Sequence, residues 1–197
     1  MLLPRGFAVR ENDLMLRFLD FILAFFGLMA SLPFLCIVCF ISFVDTGSPL
    51  FRQVRVGRYK KPFVLVKFRT MRQGTLSVAT HLVSPSAVTR FGSFLRKSKI
   101  DELPQLWNVL KGEMSLVGPR PCLYSQIELI AERDARKVFE VRPGVTGLAQ
   151  TQGIDMSTPS LLAETDAFMI RDLGISSYFR YLVRTVLGSG RGDRVRD

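Results

Sequence analysis

One apolar run constrains this chain more than any other feature. Residues 18–44 contain a single charged side chain, Asp20. As a helix the run would extend about 40 Å, whereas the hydrocarbon core of a bilayer is roughly 30 Å thick. No small-residue cleavage site follows a short apolar core, as it would in a secretory signal peptide. The run therefore predicts a membrane segment.

The run is interrupted near its middle by Ser31-Leu32-Pro33. Proline lacks an amide donor and disfavours helical angles at the residue before it, so a break is expected at Pro33. Two topologies are compatible with such a break: a kinked spanning helix, or a re-entrant helix-break-helix that returns to the same face. On hydropathy alone a spanning helix is the commoner outcome.

The charge of the chain predicts an anionic partner. The formal charge is +10 and the mean hydropathy is +0.22. Nucleic acid, acidic lipid headgroups and phosphorylated substrates all fit this charge, but the apolar composition argues against a plain nucleic-acid binder. Three cysteines are too few for a disulfide framework and indicate a reducing compartment. Five cations follow the apolar run and favour a cytosolic position for the rest of the chain: Arg52, Arg55, Arg58, Lys60 and Lys61.

An acidic pair ends a long basic stretch. Residues 46–100 contain no Asp or Glu and 12 Lys or Arg, and Asp101 and Glu102 come next. The apolar spacing of Leu103, Leu106, Trp107 and Leu110 predicts a helix that starts at the carboxylates, with Asp101 as its cap and Trp107 as a core anchor. The simplest interpretation of the pair alone is a helix cap followed by a first-turn glutamate.

The neighbouring cations favour a second interpretation, a phosphate site. Arg96 precedes the pair, Arg120 follows it between two prolines, and Lys67 lies on a predicted strand. Arginine binds phosphate oxygens bidentately, and Mg²⁺ is commonly held by one or two carboxylates together with phosphate. Asp101 and Glu102 are therefore candidate metal ligands, and aspartate can also accept a phosphoryl group.

Other elements follow from local patterns. Residues 50–69 predict a β-hairpin, and "EMSLV" predicts a short strand. Helices are expected over residues 92–98, 125–141 and 160–171. The segment "ISSYFRYLVRTVL" suits either the lipid headgroup layer or a domain surface. We assign no catalytic role to His81, because no Cys, Asp or Glu lies near it in sequence.

Several of these blocks resemble the signatures of the bacterial sugar transferase family, the monotopic phosphoglycosyl transferases. They are "FRQVRVG", "KPFVLVKFRTM", "LRKSKIDELPQLWNVLKGEMSLVGPRP" and "VRPGVTGLAQTQG", in order and at the expected spacing. The resemblance implies an α+β, mainly helical fold in which amphipathic interfacial helices surround a cytosolic active site. Residues 1–45 would form a re-entrant membrane hairpin, and residues 46–197 a catalytic domain docked on the cytosolic face of the bacterial inner membrane.

The resemblance also implies a reaction and its residues. A UDP-sugar would give its phosphosugar to a polyprenyl phosphate such as undecaprenyl phosphate and release UMP, with Mg²⁺ as cofactor. Asp101 would attack to form an aspartyl-phosphosugar, and Glu102 would assist through metal or proton handling. Phosphate groups would be bound by Arg96, Arg120 and Lys67. The candidates for a substrate pocket are Asp166 and Gln150.

The family enters the membrane by a re-entrant helix broken at a Ser-Pro pair, here Ser31 and Pro33 with one residue inserted between them. The C-terminal ending resembles members that act on modified N-acetylhexosamines, although Met169 stands where a tyrosine is usual. Inner-membrane lipid is an expected partner, nucleic acid is not, and a homo-oligomer is left open. The rival hypotheses are a membrane-anchored basic adaptor that binds anionic lipid or nucleic acid without chemistry, and a polytopic-type transferase, which needs many membrane runs.

Overall fold

The structure, a computed structural model, describes residues 11–75 and 85–188. His81 and most of the C-terminal ending lie outside the described residues. The fold is α+β and mainly helical, as expected from the sequence. The helices are α1 (Glu11–Thr46), α2 (Arg90–Lys97), α3 (Gln105–Lys111), α4 (Ile127–Ala135), α5 (Leu148–Gln152), α6 (Pro159–Asp172) and α7 (Ile175–Val186), and the strands are β1 (Leu50–Val56), β2 (Pro62–Phe68), β3 (Ser115–Val117) and β4 (Gly144–Thr146).

The apolar run forms α1, which is 36 residues long and continues through Pro33. The interruption expected at Pro33 does not occur, because the residues on both sides of the proline belong to one continuous helix. Near the proline, the Ser31 hydroxyl donates to the Gly27 carbonyl oxygen at 2.7 Å, a bond of the kind that bends helices. Among the described residues, α1 is the one helix long and apolar enough to cross a membrane. The re-entrant arrangement stays a prediction.

Both halves of α1 pack against the rest of the protein. Near its start, the Asp20 carboxylate accepts hydrogen bonds from the Leu116 amide at 2.8 Å and the Tyr178 hydroxyl at 2.9 Å. Near its end, Leu35 and Val38 belong to a buried cluster shared with Phe68 and Leu95. The opposite face of α1 exposes large apolar side chains: Phe18, Phe21, Phe26, Phe34, Ile37, Phe40, Phe43 and Val44.

Two small sheets complete the frame. The strands β1 and β2 pair antiparallel in a register from Leu50 opposite Phe68 to Val56 opposite Pro62, which confirms the predicted hairpin. The predicted strand in "EMSLV" is β3, which pairs parallel with β4. The main core brings together side chains from α1, α3, α6 and α7 around these sheets, with Met114 from the link between α3 and β3: Ala24, Val109, Met169 and Tyr178 represent the helices.

The helix predicted to begin at the carboxylates begins later. Residues Ile100–Glu102 form a 3₁₀ turn, and α3 starts after it with Pro104 in the capping position. The prediction that Asp101 caps this helix is therefore wrong. Trp107 is also not a core anchor, because its side chain is 55% exposed, whereas Asn108 beside it is 1% exposed. The buried face of α3 thus includes two polar side chains, Gln105 and Asn108, beside Val109.

The helix predicted over residues 125–141 is shorter than expected. It ends as α4 at Ala135, and Lys137 then adopts a left-handed backbone with φ of +59°. A 3₁₀ turn over Val138–Glu140 follows. Local apolar periodicity continues through this segment, but a left-handed residue reverses the chain direction, so one helix cannot cover it. The helices predicted over residues 92–98 and 160–171 are confirmed as α2 and α6.

Candidate active site

The two carboxylates lie on the 3₁₀ turn between α2 and α3. The turn exists because Lys99 adopts a left-handed conformation with φ of +58°, after which the Glu102 amide donates to the Lys99 carbonyl oxygen at 3.2 Å. Asp101 is 4% exposed. The Lys99 ammonium donates to the Thr185 carbonyl oxygen at 3.4 Å, so the turn is also tied to the end of α7.

Glu102 pairs with the arginine that the sequence placed between two prolines. The Arg120 Nη2 atom donates to Glu102 Oε1 at 2.8 Å, and the side chains are 25% and 14% exposed. Partial burial strengthens such a charge-assisted bond relative to a fully solvated pair. The adjacent carboxylates therefore have different surroundings, since Asp101 is almost fully buried and Glu102 is partly buried against the Arg120 guanidinium.

The loop that carries Arg120 is fixed through its carbonyl oxygens. Two of its residues are prolines and have no amide donor, so hydrogen bonds to the backbone must reach the acceptors. Each of four consecutive carbonyl oxygens accepts one bond: Pro119 from the Gly144 amide (2.8 Å), Arg120 from Arg133 Nη1 (2.8 Å), Pro121 from Arg55 Nη1 (3.1 Å) and Cys122 from the Val56 amide (3.0 Å). The loop is thus held by β4, α4 and β1 together.

Glycine allows the same loop to approach β4. A Cβ atom on Gly144 would lie 2.1 Å from the Gly118 nitrogen, and one on Gly118 would lie 2.6 Å from the Arg142 carbonyl oxygen. Both contacts are with backbone, which cannot move aside as a flexible side chain can. The "GPRP" and "RPGVTG" blocks are therefore in direct backbone contact.

The other predicted phosphate ligands lie on neighbouring elements. Arg96, at the end of α2, donates from Nε to the buried Thr70 hydroxyl at 2.8 Å. Lys67 is 8% exposed on β2, with its ammonium 5.8 Å from the centre of the Phe51 ring. The turn that carries Asp101 packs against both α2 and β2. The structure thus places these cations on the elements that flank the carboxylates.

Asp166 lies behind the site in a buried ion pair. Its Oδ2 atom accepts bonds from Arg133 Nη2 at 2.7 Å and Arg133 Nε at 3.0 Å, and both side chains are at most 2% exposed. Burial raises the pKa of the Asp166 carboxyl, an effect that the Arg133 charge opposes. A substrate role for Asp166 stays a prediction.

Gln150, the second predicted pocket residue, lies on α5. Its amide donates to the Val145 carbonyl oxygen at 3.2 Å, and its Oε1 atom is buried with no hydrogen-bond partner among the residues that the structure describes. No direct bond joins Gln150 to the carboxylates in the described part of the chain. Its role in a substrate pocket also stays a prediction.

The two carboxylates of the site fit a magnesium ion only if a bound phosphate supplies further oxygen ligands. No cluster of three or more His, Cys, Asp or Glu side chains occurs within residues 11–75 and 85–188. Asp101 and Glu102 supply two neighbouring carboxylates, which matches the habit of Mg²⁺ to bind one or two carboxylates together with substrate phosphates. These two residues would hold the ion.

Sequence reasoning missed Arg133 and Asn108. Both are polar residues at positions that the fold buries. A signal for Arg133 was available, because it lies four residues after the buried Leu129 on the inner face of α4 and therefore required a buried partner. The identity of that partner depends on the docking of α6, which local patterns do not predict.

These observations define a mainly helical α+β protein in which a two-carboxylate, arginine-rich site adjoins a long apolar helix. The family model described as bacterial sugar transferase matches residues 11–191. The chain therefore belongs to the bacterial sugar transferase family, as the resemblance of its motifs indicated.

Several curated relatives are similar to the chain. The uncharacterized sugar transferase EpsL of Bacillus subtilis is 52% identical over 54% of this chain and 53% of that protein. The UDP-galactose-lipid carrier transferase of Erwinia amylovora is 34% identical over 79% of this chain and 36% of that protein. The UDP-glucose:undecaprenyl-phosphate glucose-1-phosphate transferase of Caulobacter vibrioides is 40% identical over 76% and 58%. The chain thus matches less than two thirds of each relative's length.

Proposed function

We propose that the chain transfers a sugar 1-phosphate from a UDP-sugar to a polyprenyl phosphate and releases UMP. The observation that carries the proposal is the buried Asp101 carboxylate beside Glu102, which is paired with Arg120, on a turn flanked by cation-bearing elements. Support also comes from family membership and from relatives named as transferases to undecaprenyl phosphate. The sugar is left to experiment, with modified N-acetylhexosamines as the first class to examine.

Two displacements at phosphorus describe the chemistry. In the first, an Asp101 oxygen attacks the sugar-bearing phosphorus, the bond from that phosphorus to the bridging oxygen breaks, and UMP leaves. In the second, a phosphate oxygen of the polyprenyl phosphate attacks the same phosphorus, and the bond to Asp101 breaks. The products are a polyprenyl-diphosphate sugar and the regenerated carboxylate, as in other covalent catalysis by aspartate.

The remaining residues bind and orient the phosphates. Arg120 presents its guanidinium beside Glu102, and a planar fork of this kind suits phosphate oxygens. Arg96 and Lys67 add positive charge from α2 and β2, which favours the approach of anionic groups to a carboxylate. When bound, Mg²⁺ neutralises diphosphate charge and stabilises the leaving oxygen. Glu102 and Asp101 would hold that ion, with Arg120 keeping Glu102 in place.

A re-entrant α1 in the cytoplasmic membrane, with the catalytic residues on its cytosolic face, is part of the proposal. Its support is that residues in both halves of α1 pack against the same domain, near Asp20 and near Val38. A cysteine introduced at residue 5 should react with a membrane-impermeant reagent from the cytosolic side. Reaction from the outer side alone would refute this arrangement in favour of a spanning helix.

The test of the reaction compares two carboxylate substitutions in the full chain in nanodiscs. Asp101→Asn should abolish Mg²⁺-dependent UMP release from a panel of UDP-sugars and prevent trapping of labelled sugar on the protein. Asp134→Asn is the matched control, because Asp134 pairs with Lys60 at the exposed surface. Full UMP release by a folded Asp101→Asn variant would sink the proposal and leave a basic adaptor as the alternative.

A further inference from the structure

The buried Arg133–Asp166 pair is a polar feature that the proposed chemistry does not use. The guanidinium donates twice to Asp166 Oδ2, and Nη1 donates to the backbone of the loop that carries Arg120, at the Arg120 carbonyl oxygen. The second Asp166 oxygen, Oδ1, is buried with no hydrogen-bond partner among the described residues. One guanidinium thus joins α4, α6 and the loop that carries Arg120.

Stability alone does not account for such a pair. Removal of two charges from water opposes the attraction between them, so apolar side chains of similar volume often serve a core equally well. Because Asp166 Oδ1 is left without a partner, the transfer of this ion pair from water into the core is less favourable still. What apolar side chains could not supply is the hydrogen bond from Arg133 to the Arg120 carbonyl oxygen.

Among the four bonds that hold the loop through its carbonyl oxygens, this one reaches Arg120 itself. Pro119 and Pro121 cannot donate from their backbone nitrogens, so the position of Arg120 depends on the bonds that reach the carbonyl oxygens. Arg133 supplies the one at Arg120 itself. The Arg120 side chain in turn pairs with Glu102, with 2.8 Å between Nη2 and Oε1.

We propose that Arg133 and Asp166 are positioning residues. They hold the Arg120 backbone and thereby position the Arg120 guanidinium and the Glu102 carboxylate. The chain of contacts runs from Asp166 to Arg133, to the Arg120 carbonyl oxygen and, through the Arg120 side chain, to Glu102. Neither buried residue touches substrate in this arrangement. The expected effect on activity rests on the proposed function, whereas the expected effect on the position of Arg120 does not.

The first arm of the test measures UMP release by the full chain in nanodiscs. Asp166→Asn and Arg133→Lys should lower kcat by about 10- to 100-fold, because a displaced catalytic group loses rate steeply. The Michaelis constant for the UDP-sugar should change much less. Arg136→Lys is the matched control, since Arg136 lies on the same helix and pairs with Glu132 at a partly exposed position. It should retain wild-type kcat.

A double-mutant cycle separates positioning from a general structural role. If Asp166 acts through Arg120, Asp166→Asn should lower activity by no more than about 2-fold further in an Arg120→Ala background, because residues that work as a unit are not additive. Its effect on the melting temperature should persist in that background. Losses of activity that multiply would overturn the proposal.

Hydrogen exchange supplies a readout that does not require activity. The Gly144 and Val56 amides donate to the Pro119 and Cys122 carbonyl oxygens, so they report on the loop from both sides of Arg120. Both should exchange faster in folded Asp166→Asn than in the wild type, and at the wild-type rate in Arg136→Lys. Unchanged exchange in Asp166→Asn would overturn the positional link, even with lowered activity. Failure of the wild type to release UMP from any UDP-sugar would instead refute the proposed function, and the exchange result would still decide the positional link.

Discussion

Asn108 joins the helix after the carboxylates to the strand that carries Lys67. Its Nδ2 atom donates to the Val64 carbonyl oxygen and to Glu113 Oε2, each at 2.7 Å, and its Oδ1 atom accepts from the Val66 amide at 3.1 Å. The side chain is 1% exposed. It therefore bonds the edge of β2 that faces away from β1, much as another strand would.

Replacement of Asn108 by leucine keeps the approximate volume and removes all three hydrogen bonds. Three bonds at about 1 kcal/mol each, with a further cost of about 1–3 kcal/mol for strand groups left unsatisfied, give a loss of roughly 4–6 kcal/mol. Burial of the added apolar surface offsets about 1–2 kcal/mol. The net loss is thus about 3 kcal/mol, which for a chain of this size lowers the melting temperature by about 6–12 °C.

Thermal unfolding of the full chain in one detergent, followed by circular dichroism, measures this shift. Glu113→Gln is the graded control, because it leaves both strand bonds of Asn108 in place and should shift the melting temperature by less than half as much. UMP release by folded Asn108→Leu should also fall, since α3 and β2 lose their register near the carboxylates. A shift below about 2 °C for Asn108→Leu would refute the assignment of these bonds as net stabilising.

Three further perturbations test separate parts of the structure. Gly144→Ala places a methyl group 2.1 Å from neighbouring backbone and should abolish activity and lower the melting temperature, whereas Gly174→Ala meets open space and should do neither. Burial, and then the Asp20 carboxylate, raise the pKa of Tyr178 in the folded protein. Above about pH 10 the tyrosine ionises more readily in the unfolded chain, so the folded protein should lose stability as pH rises. Tyr178→Phe should weaken that dependence in thermal melts at alkaline pH. If lipid covers the exposed side chain of Trp107, the one tryptophan of the chain, brominated lipids in nanodiscs should quench its fluorescence, and unquenched emission would contradict such cover.

Local sequence patterns predicted correctly those elements that are determined by residues close together in sequence. The hairpin follows from β-branched and aromatic residues on either side of a turn, and α6 follows from its apolar period. The structure also pairs two residues that the sequence analysis named as candidates, Glu102 and Arg120, whose functional roles stay predictions. In each case the deciding residues lie within about one element or in adjacent blocks, so the sequence contains the required information.

Long-range packing determined what the sequence could not predict. Arg133 and Asp166 are 33 residues apart and meet only because α4 packs against α6. Likewise, the left-handed backbone of Lys99 separates the carboxylate turn from α3, although apolar spacing continues across both. A hydrophobic period shows which face of a segment is apolar. It does not show where the chain reverses direction or which polar group will pair with a buried side chain.

The exposure pattern of α3 bears on where the reaction would occur. Asn108 and Gln105 are buried, whereas Trp107 is 55% exposed and lies on a helix that packs against α1. In a domain surrounded by water, this pattern would leave apolar surface uncovered on both helices. If lipid covers that surface, Asn108 points inward to satisfy β2, and the aromatic ring of Trp107 lies at the membrane boundary, where tryptophan is common. The carboxylates, on the turn just before α3, would then lie beside the headgroup layer, as transfer to a membrane-bound phosphate requires.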